Sequence, residues 1–358
     1  MYRKGSNVKL NRSEFSNGEV NRPRAEGLAR ALLAATVLAT ATLFHLPDAA
    51  AEELSCAAVR DDAQPKVINT TLAGVPALVR LPKSITHRPV ILWHGLGPPG
   101  DPETLMQALP LDEVQAVKVY LGLPLTGARA PKDDADGLAQ RQKRDYGMLI
   151  FKPIVMGTAE ELPAVVSALR DRQCLPKDGA IDLFGFSAGG TAVLAALAEQ
   201  HVRIAAAITV NAPTGLDKAV GALERATHQT YTWSPEARQL AVQTNFVDRA
   251  AEIGRSRPAL LMLQGADDTV SSPQDAQALV YALESHYGGA GVEVGGAGNN
   301  NRVASGSGPA GSHGKPAGVT GTQRLKLVVM PGVTHQWVQG PALEEVRANV
   351  AEWLNQHR

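Results

Sequence analysis

The segment Gly185-Phe186-Ser187-Ala188-Gly189-Gly190 sets a serine between glycines at Gly-x-Ser-x-Gly spacing. It follows the strand candidate Ile181-Asp182-Leu183-Phe184 and precedes an alanine-rich stretch. At a strand-to-helix junction this spacing forces a sharp turn, and the serine hydroxyl is left exposed above the sheet edge. The helix start behind it brings backbone N–H donors and a positive dipole end to the same point. A serine hydroxyl is a weak nucleophile; it needs a base, and the base needs an orienting acid. In sheets that carry such a turn, the acid and then the histidine follow the serine along the chain.

Both partners can be placed. Leu260–Leu263 runs into Gln264-Gly265-Ala266-Asp267-Asp268-Thr269-Val270, where an aspartate past a strand's carboxyl end can face Ser187. Asp268 fits this loop best, Asp267 stays open as the alternative acid, and Asp217 is a distant third. The apolar run Leu325–Met330 leads into Pro331-Gly332-Val333-Thr334-His335, which sets His335 past the last strand. The other histidines fit worse: His94 precedes the serine, His201, His228 and His286 lie on or beside helices, His313 falls in a glycine-rich stretch, and His357 is terminal. The oxyanion formed on attack needs donors, typically worth about 2.7–4 kcal/mol each in the transition state. The N–H of Ala188 is one candidate. The turn His94-Gly95-Leu96-Gly97-Pro98-Pro99-Gly100 offers the second, with Leu96 preferred and Gly97 next.

These residues need elements to hold them. Val67–Thr71 and Ala77–Arg80 read as a hairpin; Val90–Trp93, Ala116–Leu121, Ile181–Phe184, Ile204–Val210, Leu260–Leu263 and Lys326–Met330 read as strands, several of them continuous apolar runs suited to burial on both faces. Helices are expected at Glu161–Arg170 (with Pro163 in its first turn), Gly189–Gln200, Ser272–Tyr287 and Ala342–Gln356. Strands alternating with helices predict an α/β fold with a mainly parallel central sheet flanked by helices. Two stretches interrupt the alternation. Residues 213–257 read as a small helical cap, in which Tyr231, Trp233 and Phe246 can line a pocket or pack within the cap. Residues 288–322, with twelve glycines among thirty-five positions, read as a flexible surface insertion.

Composition narrows the function class. The 358 residues carry 35 basic and 35 acidic side chains with 44% apolar residues, which gives no electrostatic footprint for nucleic acid and rules out a wholly disordered chain. Neither metal-ligand spacings nor a phosphate loop appear, so no metal or cofactor is expected. Residues 1–51 hold seven Lys/Arg, an uncharged run from Ala31 to Leu46 and then Ala49-Ala50-Ala51. That is the pattern of a secretory signal peptide cut after Ala51, and the run is short for a stable membrane span. Residues 52–358 would then be the mature domain, periplasmic or secreted. Export would permit a disulfide between Cys56 and Cys174, although sequence alone leaves the pairing open.

Taken together, His94-Gly95, Gly185–Gly190, Gly265–Val270 and His335 make the chain resemble the α/β-hydrolase superfamily, over about Thr70 to Gln356. It is most similar to small serine esterases and to dienelactone-hydrolase-like or prolyl-oligopeptidase-like catalytic domains. The resemblance implies a Ser187–His335–Asp268 triad, no cofactor and a small-molecule ester substrate. Dienelactone hydrolases proper use a cysteine nucleophile where this chain has Ser187, and too few residues separate Ala51 from Val90 for a propeller. The expected function is therefore an exported serine hydrolase of carboxylic esters, acting through an acyl-enzyme. An acylaminoacyl or dipeptide amidase and a non-catalytic hydrolase-like binding protein are the rival readings.

Overall fold

A computed structural model describes residues 54–58, 64–131, 137–287, 292–296 and 323–358, the stretch 292–296 by its backbone alone. The expected signal segment and most of 288–322, with His313, lie outside the described residues.

Strands β1 (Lys66–Leu72), β2 (Val75–Leu81), β3 (Val90–Trp93), β4 (Lys118–Leu121), β5 (Ile181–Phe186), β6 (Ile204–Val210), β7 (Ala259–Gly265), β8 (Val292–Gly296) and β9 (Leu325–Met330) form one sheet in the order β1-β2-β4-β3-β5-β6-β7-β9-β8. The first two make an antiparallel hairpin, and β2 runs antiparallel to β4. Every other pairing is parallel. The hairpin closes through Ala73 and Gly74, both at positive φ (50° and 83°), which matches the right-handed twist of the flanking strands. The expected hairpin and the six expected strands are all present.

Helices α1 (Pro102–Ala108), α2 (Gly137–Tyr146), α3 (Gly157–Asp171), α4 (Ala188–Glu199), α5 (Leu216–Thr227), α6 (Pro235–Gln243), α7 (Ala250–Gly254), α8 (Pro273–Glu284) and α9 (Gly340–Gln356) connect them. Alternating side chains of each central strand feed two apolar layers. Ile91, Trp93, Ile181 and Leu183 join Val165, Leu169, Val193 and Leu197 of α3 and α4 on one face. Val90, Leu92, Phe184 and Phe186 join Leu105, Val346 and Trp353 of α1 and α9 on the other. Burial on both faces explains why β3 and most of β7 read as apolar runs.

Two expectations need correction. Residues 288–322 are not wholly a loose insertion, because Val292–Gly296 pairs with β9 from Val292↔Leu325 to Gly296↔Val329. An exposed sheet edge offers unpaired N–H and C=O groups, so backbone pairing can order a glycine-rich segment with little side-chain help. The helix expected to begin at Glu161 instead starts at Tyr146. Its turns continue through a π-wound stretch, Gly147–Met156, into α3, with Pro153 and Pro163 both inside the run. Asp145 breaks from α2 at φ −166°, ψ 94° and accepts from the N–H of Met148 (3.0 Å). An extended residue whose carboxylate satisfies an orphan N–H of the first turn is an N-cap, and it sets the helix start.

Candidate active site

In an open parallel sheet, ligands sit outside the carboxyl ends of the strands. Here the ends of β3, β5, β7 and β9 converge there, each followed by a loop that carries a candidate residue. Ser187 ends β5 and starts α4 at φ 51°, ψ −118°, a left-handed backbone that a non-glycine residue adopts only under constraint. Its neighbours explain how the turn closes. A Cβ on Gly185 would lie 2.2 Å from the carbonyl oxygen of Gly189, and one on Gly189 would lie 2.4 Å from that of His94. Only glycines permit this approach.

The three candidates meet. Ser187 Oγ lies 2.9 Å from His335 Nε2, and His335 Nδ1 lies 2.9 Å from Asp268 Oδ2. Because the carboxylate can only accept, Nδ1 carries the proton, and Nε2 is left to accept from the serine hydroxyl. The Asp268 side chain is fully buried. Its Oδ1 accepts from the N–H groups of Val270 (2.7 Å) and Ser271 (2.9 Å), and its Oδ2 also accepts from Gln264 Nε2 (3.3 Å). Asp267 is exposed and its N–H donates to Val333 O (3.0 Å), while the carboxylate paired with the histidine is that of Asp268. Asp217 lies in the first turn of α5, half exposed, and pairs with Lys218.

Asn211, which sequence reasoning passed over, ties the acid and base loops together. It is fully buried, donates from Nδ2 to the carbonyls of Thr334 and His335 (3.0 Å each), and accepts on Oδ1 from the Gly265 N–H (2.8 Å). Phe186 packs against the imidazole at a centroid distance of 5.3 Å, and Trp337 meets Phe186 edge-on.

His94 serves the turn after β3. Its Nδ1 donates to the carbonyl of Gly95 (2.8 Å), while its Nε2 accepts from the N–H of Leu123 (3.2 Å). These partners require the neutral imidazole, and complete burial lowers its pKa to match. The Gly95 N–H donates to Pro99 O (3.1 Å), so it is not the donor facing the site. Leu96 and Gly97 line the cavity in front of Ser187, as does Ala188.

That cavity measures about 180 Å³. Leu96, 41% exposed, stands at its mouth; Phe151, Ile154, Val155 and Thr191 are buried in its wall. Pro213 and Ala219 are what residues 213–257 contribute to it. The aromatic residues of that stretch are elsewhere. Tyr231 and Trp233 meet edge-on at 4.9 Å, and Phe246 is fully buried in the core. The deep wall comes from the π-wound stretch, where Asp145 is the sequence signal that marks the helix start.

No protein-family model and no curated protein matches the sequence. Solved structures do resemble the fold. TT1662 from Thermus thermophilus superposes with a TM-score of 0.56 at 19% identity, over 82% of this chain and 99% of that one. A puromycin-hydrolyzing peptidase of Mycobacterium tuberculosis gives 0.53 at 17% identity, over 82% of this chain but only 40% of the peptidase. An esterase/lipase from an uncultured bacterium gives 0.47 at 16% identity, over 82% and 85%. With its mostly parallel sheet and flanking helices, the chain has the α/β-hydrolase fold.

Proposed function

We propose that the protein is an exported serine hydrolase that cleaves carboxylic esters. The observation that carries this reading is the pair of 2.9 Å contacts joining Ser187, His335 and the buried Asp268 at the head of a cavity. In the proposed reaction Ser187 Oγ attacks the acyl carbon while His335 Nε2 takes its proton. Asp268 holds the imidazole tautomer and stabilises the cation. The N–H groups of Ala188 and Leu96 hold the oxyanion. The tetrahedral adduct then breaks its C–O bond to the alcohol, which leaves with the proton from Nε2. Water attacks the acyl-serine with His335 again as base, and the acid departs as Ser187 regains its proton.

Ester is favoured over aminoacyl amide because, among the described residues, the cavity lining holds no carboxylate to pair with an amino terminus. A peptidase shares the fold with this chain, but at an identity that carries no substrate across. Export is supported by the charge and hydropathy pattern of residues 1–51 and by the Cys56–Cys174 disulfide, a bond of oxidising compartments.

The test is hydrolysis of p-nitrophenyl esters from acetate to dodecanoate, with fluorophosphonate labelling, across wild type and three variants. Ser187→Ala should abolish both signals. Asp268→Asn, which leaves the imidazole in the wrong tautomer, should lower kcat by about 10⁴-fold. Asp267→Asn should stay within about twofold of wild type, being exposed and outside the Asp268–His335 pair. A folded wild type inert to every ester and to the probe would overturn the reading in favour of a binding protein.

A further inference from the structure

Given the ester-hydrolase reading, on which this step rests, we propose that the π-wound segment Gly147–Met156 is the specificity wall of the site and selects short, uncharged acyl groups of about four to six carbons. The winding decides which side chains reach the cavity. Tyr146, Phe151 and Val155 all line it. At about 100° per residue an α-helix would set Phe151 roughly 140° and Val155 roughly 180° around from Tyr146. An i→i+5 helix advances roughly 80° per residue, which brings both within about 40° of Tyr146. Regular α-winding would already set Phe151, Ile154 and Val155 within roughly 100° of one another; the wider winding adds Tyr146 to the face that lines the cavity. Pro153, inside the segment, has no N–H to give to an α-helical ladder.

Apart from the Tyr146 phenol, the side chains of this wall are apolar. Phe151 is 4% exposed, Ile154 0% and Val155 1%. Thr191 is the polar side chain among the buried lining residues besides Ser187, and its hydroxyl already donates to the Pro213 carbonyl (2.9 Å). Among the described residues, no Asp, Glu, Lys or Arg lines the cavity. An ammonium placed there would lose its water without gaining a partner, at a large cost. The volume of about 180 Å³ suits a group of about six carbons, since an apolar cavity of about 150 Å³ takes up a benzene molecule. A longer chain would have to displace Ile154 or Val155.

The experiment compares kcat/KM for p-nitrophenyl acetate, butyrate, hexanoate, octanoate and dodecanoate in wild type, Ile154→Ala and Val155→Phe, with fluorophosphonate labelling of each. Wild type should peak at butyrate or hexanoate and fall at least tenfold by dodecanoate. Ile154→Ala should raise the octanoate-to-butyrate ratio at least tenfold, and Val155→Phe should move the optimum to acetate; a methylene in such a pocket commonly discriminates 10–200-fold. The p-nitrophenyl ester of leucine should be at least 100-fold poorer than that of 4-methylpentanoate, which lacks only the amine. Labelling at the wild-type rate shows that a variant is folded and its serine activated. A wild-type optimum at octanoate or beyond, a leucine ester as good as its deamino counterpart, or two labelled variants with unchanged profiles would each overturn the specificity wall while leaving the hydrolase reading intact. A wild type that neither labels nor hydrolyses overturns both.

Discussion

Lys118, on β4, is 1% exposed, and its ammonium donates to the carbonyls of Leu111 (3.1 Å) and Val114 (3.0 Å). Burial lowers its pKa from 10.5 to about 8, with Asp112 opposing the shift. Between those values the unfolded chain holds a proton that the native state has released, so stability from this group rises with pH. Below pH 8 both states are charged, and the burial cost is constant. The unfolding free energy of wild type minus that of Lys118→Met should therefore climb by about 2 kcal/mol between pH 7 and 9.5 in urea titrations. A flat difference would mean that the amine keeps its proton in the fold. Around the site, too, buried polar groups do the positioning, and they differ in how far sequence exposes them. Ser187 and His335 were legible because each follows an apolar run with turn residues between. Asp268 was separable from Asp267 only in part, since the choice rests on which carboxylate receives the Val270 and Ser271 N–H groups. Asn211 gave no signal: an asparagine past a strand is an ordinary turn residue, and its three partners lie far along the chain.

The helix from Tyr146 shows why element starts are harder to read than strands. Pro153 and Pro163 both look like breakers, and a helix expected from Glu161 with Pro163 in its first turn misses the earlier turns. What starts the helix is a cap assembled across the fold. Asp145 takes the Met148 N–H, while the Tyr231 hydroxyl takes that of Gly147 (3.2 Å) and donates to Asp145. Ser234 adds a bond to the other carboxylate oxygen (3.1 Å). Burial first, and the bond to Asp145 second, push the phenol up to about 12, so it remains a donor at neutral pH. Tyr231→Phe should cost about 1–3 kcal/mol in denaturant unfolding, because it leaves Asp145 short of a donor and Gly147 short of an acceptor. Asp145→Ala should cost about 1–2 kcal/mol, and Asp145→Asn distinctly less, since an amide oxygen still caps Met148. Equal losses for the two Asp145 variants would show that the cap does not set the helix start. The residues between strands thus carry the specificity wall, and their placement depends on contacts from α5–α6 that no local pattern encodes.

At the scale of the whole molecule, alternation of strands and helices revealed the sheet class, but strand order and the disulfide are long-range facts. Cys56 and Cys174 come within 4.9 Å at Cα and are bonded, and the Cys56 N–H donates to Arg172 O (3.1 Å). The bond fastens the segment ahead of β1 to the far end of α3, whose helical run lines the cavity at its other end. It spans 118 residues, and closing so long a loop removes unfolded-state entropy worth up to about 4–5 kcal/mol. A Cys56→Ala/Cys174→Ala double variant should unfold at a markedly lower urea concentration yet keep its ester profile at 25 °C, since neither cysteine touches the cavity. The same bond makes export testable in one preparation. Full-length chain produced in a Gram-negative host should yield a periplasmic product that begins near Glu52 and has no free thiol by alkylation and mass spectrometry. Chain retained in the cytosol should keep residues 1–51, carry two reactive thiols and match the double variant in stability. A cytosolic product that is both disulfide-bonded and uncleaved would separate the bond from export and remove the support it lends to that reading.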